Sequence, residues 1–178
     1  MLDVYLCEKS KKPKQPHFGS CRCEPKGFEC CGNNCDNRLM KMECVDSMCQ
    51  CDDRCTNRRF QKCEWCKCEV RPAGKKGFGL YANETIRRGQ FVVEYVGEVI
   101  DSLQSQRRLQ LEYKGSKKFY IIRLEKDLLI DATKKGNIGR FVNHSCDPNC
   151  QSEKWLLLLL YFYFYFVLFC LNKKKKKS

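Results

Sequence analysis

Cysteine offers more chemistry than any other residue in this chain of 178: there are sixteen, and twelve fall between Cys21 and Cys68. Clustered cysteines form either a disulfide framework or a set of metal thiolates, and the redox compartment decides between them. The N-terminal stretch MLDVYLCEKSKKPKQP has no apolar core of the kind a secretory signal needs, so a reducing compartment and Zn²⁺ ligation are expected. Zinc takes four tetrahedral ligands, each sulfur about 2.3 Å from the ion. Short steps between cysteines let one turn of backbone present two thiolates to the same ion. Cys21, Cys23, Cys31 and Cys35 make one set of four, and Cys44, Cys49 and Cys55 make three of a second. A thiolate shared between the ions completes it. Two ions and seven thiolates sum to about −3, and Arg38, Lys41, Arg54, Arg58 and Arg59 lie near enough in sequence to offset that charge. Cys30 and Cys51 are left over beside ligands, and spacing leaves open which of each neighbouring pair binds. Cys63, Cys66 and Cys68 read as small buried or free thiols, with an extra metal site as the alternative.

A second group of candidates lies in IDATKKGNIGRFVNHSCDPNC, residues 130–150. Asn143-His144 alone would read as a polar pair on a loop. Gly77-x-Gly79 alone would read as a bulged hairpin. No paired carboxylates, Ser/His/Asp set or GK[ST] phosphate loop points to a hydrolase or a kinase.

The elements that must position these groups are short. QFVVEYVGEVI (90–100) reads as a strand broken near Gly97, and residues 101–114 as a helix capped by Asp101 or Ser102. Residues 118–124 and 128–132 read as strands joined by the polar turn Glu125-Lys126-Asp127. The Cys-rich block is too poor in apolar residues to fold on a core of its own, so metal is expected to supply its folding free energy. Residues 1–20 read as a flexible basic arm. The formal charge of +13 falls to 29 − 21 = +8 without the run Lys173 to Lys177, an excess suited to an anionic partner such as DNA or to a solvated basic surface.

With Asn37-Arg38 and Cys55-Thr56-Asn57-Arg58 after ligand cysteines, the block over residues 16–67 resembles the AWS zinc module, in which the bridging thiolate corresponds to Cys31. Residues 68–155 resemble the SET domain through KGFGL, EYVGEVI, FY, IDA, GN, RFVNHSCDPNC and EKW. Joined in this order, the two resemble the lysine-36 class of histone H3 methyltransferases. The resemblance implies a mostly β fold with short helices: a SET-type β fold, its N-terminal part only, preceded by a two-zinc AWS module. It implies methyl transfer from S-adenosylmethionine to a histone H3 tail on nucleosomes, with DNA phosphate contacts, in the nucleus and on the chromosome. Lys76, Gly77, Phe78, Lys118, Phe119 and Tyr120 would form the cofactor pocket, Asn143 and His144 would meet the cofactor's amino group and adenine, and Arg140 would hold their loop. Tyr120 would also line the lysine channel. Cys146 resembles the thiolate that joins three post-SET cysteines around another zinc. Tyr95 and Phe141 read as ordinary core.

Past Trp155 the family's closing strand, its catalytic tyrosine motif and the post-SET cysteines are not found; the chain runs LLLLLYFYFYFVLFCLNKKKKKS. Its sixteen apolar residues, 156–171, fall short of the roughly 20 that span a bilayer. They show no period for a core strand or helix and suit translated non-coding sequence. The expectation is therefore a truncated domain, inactive or very weak by itself. The alternative is a non-catalytic, zinc-dependent fragment that binds chromatin or a protein partner.

Overall fold

The computed structural model describes residues 5–6, 21–25, 30–116, 118–157 and 163–170. The chain divides into two compact units. One takes in Met1–Lys11, Cys66–Glu153 and the chain from Phe166 onward; the other takes in Lys12–Trp65 and Lys154–Tyr165.

The cysteine-rich unit has little regular structure: a single helical turn α1 (Asp36–Leu39) and two 3-10 turns, Asp46–Met48 and Asp52–Arg54. Eight buried cysteines pack on one another where a domain of this size would otherwise place aliphatic side chains. Beside them Phe60 is buried and meets Trp155 edge-on, with ring centroids 5.1 Å apart. The buried Glu43 carboxylate accepts from the backbone N–H of Phe60 (2.7 Å) and of Gln61 (3.1 Å). The two Asn-Arg pairs brace this unit from inside. Arg38 donates to the carbonyls of Cys31 (3.1 Å) and Thr56 (2.6 Å), and Arg58 to Asp46 and the carbonyl of Asp52. The expected charge compensation thus runs largely through carbonyls, because each planar guanidinium satisfies loop acceptors that have no strand or helix to do so.

The larger unit is mostly strand. β1 (Tyr5–Leu6) runs parallel to β5 (Glu98–Asp101), so part of the sequence read as a free arm joins a sheet edge. β2 (Cys68–Pro72) and β3 (Phe78–Ala82) form an antiparallel hairpin closed by a 3-10 turn, Gly74–Lys76. β4 (Phe91–Tyr95) is buried at all five positions and separates from β5 around Gly97. Asp101 caps α2 (Ser102–Arg107), accepting from Gln104 N–H at 2.7 Å, and the helix continues as one π turn, Arg108–Glu112. β6 (Ile121–Glu125) and β7 (Leu128–Asp131) pair across the expected turn. Residues 118–120, read as strand, lie outside it and are free to line a cleft. The sheets run β1-β5-β7-β6, β2-β3 and β4-β9-β8, where β8 is Cys150–Leu157 and β9 is Tyr163–Cys170.

The apolar stretch after Trp155 is where structure and sequence reading part. β9 pairs antiparallel with β4, and the Gly89 N–H donates to the Cys170 carbonyl at 3.0 Å. Leu168 and Phe169 are consecutive and both buried, so the strand is covered on both faces at that point. Such a strand reads as a continuous apolar run without the period of two, which is why the sequence showed no periodicity there. Among the described residues no helix is long and apolar enough to cross a membrane.

Candidate cofactor cleft and metal centre

The thiols gather as a metal would need. Cys21, Cys23, Cys31 and Cys35 present sulfurs all within 4.8 Å of one another, and so do Cys21, Cys31, Cys44 and Cys49. Sulfurs about 2.3 Å from one tetrahedral ion stand about 3.8 Å apart. The separations are 3.6 Å for Cys21–Cys31, 3.4 Å for Cys31–Cys49 and 3.8 Å for Cys35–Cys44. The donor set therefore fits zinc. Both Cys21 and Cys31 belong to both groups, whereas spacing had put Cys21 in the first alone. Cys55 falls outside these groups but hydrogen-bonds Cys44 and Cys31 in the same cluster. Donation from the Cys55 thiol, then from the amides of Asn57 (3.4 Å) and Asn37 (3.5 Å), pulls Cys44 down to about 4, while burial pushes Cys35 up to about 12. Cys30 and Cys51 are joined as a disulfide, with Cα atoms 5.8 Å apart, which leaves Cys31 and Cys49 as the members of each neighbouring pair that face the cluster. A disulfide here departs from the all-thiol expectation. A backbone β-bridge pairs Cys30 with Cys55, the Cys30 N–H donating to the Arg54 carbonyl (3.1 Å) and the Thr56 N–H to the Cys30 carbonyl (2.9 Å).

In the larger unit a cleft of ≈ 620 Å³ is lined by Val70, Lys75, Lys76, Gly77, Phe78, Lys118, Phe119, Tyr120 and Phe141. Six of the nine cofactor residues expected from sequence are among them, brought together from the β2–β3 turn and the segment before β6. The other three bound it. Asn143 donates through Nδ2 to the Phe78 carbonyl at 2.9 Å, and Lys76 Nζ donates to the His144 carbonyl at 2.8 Å. The Arg140 guanidinium sits 5.2 Å from the Tyr120 ring centre and 4.9 Å from that of Phe141. Asn143 also faces a smaller cavity of ≈ 250 Å³ beside Cys68, Cys150 and Leu168. Cys146 is exposed, its sulfur 3.7 Å from His144 Nε2.

Local backbone explains the glycines. Gly77 has φ +75°, a left-handed conformation that L side chains rarely adopt, and a Cβ there would meet nothing, so its backbone is open to a ligand. At Gly79 a Cβ would stand 3.1 Å from Asn143 Nδ2, so its absence lets the 143–146 loop close on β3. Phe141, read as core, instead walls the cleft edge-on to Tyr120, with centroids 5.5 Å apart. Tyr95 is core, as read. Val70 and Lys75 were missed. Lys75 lies in the hairpin turn beside Lys76, and that adjacency was the available signal; Val70 lies within β2.

Comparison with known proteins now decides the family. The SET domain model matches residues 77–175 and the AWS domain model residues 24–63. The chain belongs to the SET-domain family. The SET match extends past Trp155 through the segment that forms β9. Histone-lysine N-methyltransferase ASHH2 of Arabidopsis thaliana is 48% identical over 139 residues, covering 77% of this chain and 8% of that protein. ASHH1 of the same plant is 42% identical over 154 residues, covering 84% of this chain and 31% of that protein. The histone-lysine N-methyltransferase, H3 lysine-36 specific, of Coccidioides immitis is 48% identical over 130 residues, 71% of this chain and 13% of that protein. This chain thus spans a minor part of each relative's length. SET membership implies the use of S-adenosylmethionine. The cleft fits it: its volume lies in the range of about 300–1,000 Å³ usual for such sites, its turn is open at Gly77, and three lysines but no carboxylate line it.

Proposed function

We propose that the SET domain transfers a methyl group from S-adenosylmethionine to a lysine of the histone H3 tail, in the lysine-36 class, on nucleosomes. The observation that carries this reading is the convergence of Lys76–Phe78, Lys118–Tyr120 and Arg140–Phe141 on one cleft bounded by Asn143 and His144. The names of the relatives support the substrate, and they support a nuclear, chromatin-bound location.

Bound in the cleft, S-adenosylmethionine supplies an electrophilic methyl group. The work of the chain is to bind, orient and exclude water. Lys75, Lys76 and Lys118 offer positive charge to a carboxylate. Asn143 gives its Nδ2 to Phe78, which leaves Oδ1 to accept from an ammonium. Tyr120 and Phe141 present aromatic walls to a lysine side chain. Burial against such walls favours the neutral amine that in-line displacement requires. In the cysteine-rich unit, two Zn²⁺ ions sharing the Cys31 thiolate, held also by Cys21, Cys23, Cys35, Cys44, Cys49 and Cys55, would have a structural role.

Tyr120 is the one tyrosine among the described residues lining the cleft, and Phe78 and Phe119 are 55% and 45% exposed. A cleft this open to water favours slow turnover by this chain alone. It also keeps a second reading in play, zinc-dependent binding of chromatin through the basic excess of +13. A nucleosome assay with methyl-labelled cofactor, run beside a nucleosome-binding assay, separates the two. Transfer abolished by Asn143→Ala supports the enzyme. Binding that survives that substitution with no transfer at any enzyme concentration supports the binding module.

A further inference from the structure

Tyr120 has no strand to hold it, yet its backbone is bonded on both sides. Its N–H donates to Thr133 Oγ1 at 2.9 Å, and its carbonyl accepts from Ala132 N–H at 2.7 Å. The same two residues hold Arg140, whose Nη1 donates to the carbonyls of Ala132 (3.2 Å) and Thr133 (3.5 Å). Ala132–Thr133 is therefore the clip on which this wall of the cleft hangs.

What holds the clip is Asp131, which is fully buried at the end of β7. Its Oδ1 accepts from Thr133 N–H at 2.9 Å, and its Oδ2 from Arg108 Nη1 at 2.7 Å and Tyr113 OH at 2.8 Å. Arg108 is fixed in turn by Glu98, at 2.8 Å. Asp131 thus fixes the backbone of Thr133, the residue whose hydroxyl oxygen accepts from the Tyr120 N–H.

We infer that Thr133, held by Asp131 through its backbone N–H, is a positioning residue that sets Tyr120 in the cleft. Its consequence for cofactor binding rests on the reading of the cleft given above; its consequence for Tyr120 does not. The full chain labelled with 3-fluorotyrosine tests both, the Tyr120 resonance being identified by its loss in Tyr120→Phe. Thr133→Val keeps the shape and removes the hydroxyl, and Thr133→Ser restores it. Thr133→Val should shift and broaden the Tyr120 resonance and raise the calorimetric Kd for S-adenosylmethionine about tenfold, the loss of one buried hydrogen bond. Thr133→Ser should return both to wild-type values, which a general packing role for the γ-methyl would not produce, because serine lacks it. A Tyr120 resonance unmoved in Thr133→Val overturns the inference, as does a failure of Thr133→Ser to restore it. Should Thr133→Val not fold, Thr133→Ala is read in the same way. A wild-type chain that binds no cofactor refutes the cleft reading instead, and the resonance still decides the role of Thr133.

Discussion

Asn143 shows how much one side chain can carry in this domain. Its amide joins the 143–146 loop to β3 through Phe78, with Gly79 leaving room for it. Asn143→Ala removes both the tie and the acceptor, and the Kd for S-adenosylmethionine should rise at least about tenfold, or about 1.4 kcal/mol, by calorimetry. Affinity within a few-fold of wild type would count against the assigned cleft. Asp131 makes a pH prediction. Burial alone would raise its carboxyl, but donation from Thr133, Arg108 and Tyr113 outweighs it and holds the group below its ordinary value of 3.8. The folded state therefore gains from the ionised form. That contribution is complete above the usual carboxylate range and is lost as pH falls through the lowered folded value. Urea midpoints taken from about pH 6 to about pH 3 should fall, and Asp131→Asn should flatten that part of the profile.

At the scale of elements, β9 is the test case. β4 is the edge strand of its sheet yet is buried along its whole length, so its backbone needs hydrogen-bond partners, and β9 supplies them with Leu168 against Val92 and Val93. Leu168→Ala should destabilise the larger unit by about 2–4 kcal/mol through lost burial and a residual cavity, read by chemical denaturation. A midpoint equal to wild type would mean that the apolar stretch does not support β4 in solution. The helical segment after Asp101 was legible from its cap alone. Its passage into a π turn was not, because that turn brings Arg108 and Tyr113 over Asp131, a contact more than twenty positions away from Arg108 in sequence.

For the molecule as a whole, the two units rest on different sources of stability. The larger has a β core, whereas the smaller packs thiols where aliphatic side chains would be, in groups that could hold a metal ion. Complete zinc removal from the purified chain should unfold residues 21–60 and leave protection in β4, β5 and β7, as followed by circular dichroism and hydrogen exchange. Unchanged protection over the cysteine-rich unit after verified removal of metal would show that its hydrogen bonds and the Cys30–Cys51 disulfide suffice.

The chemistry of the chain was written in residue type and local spacing. Cysteines a few positions apart reach one ion whatever the rest of the fold does, and the glycines and Asn-His pair constrain backbone locally. Family, thiol cluster and most of the cleft were legible on that ground. Tertiary structure decided what depends on distant partners: Cys21 joining both thiol groups, Phe141 leaving the core for the cleft, Asp131 and Thr133 holding Tyr120, and an apolar run without periodicity becoming β9. A strand covered on both faces has no period to show, and a buried carboxylate takes its role from whatever the fold turns towards it.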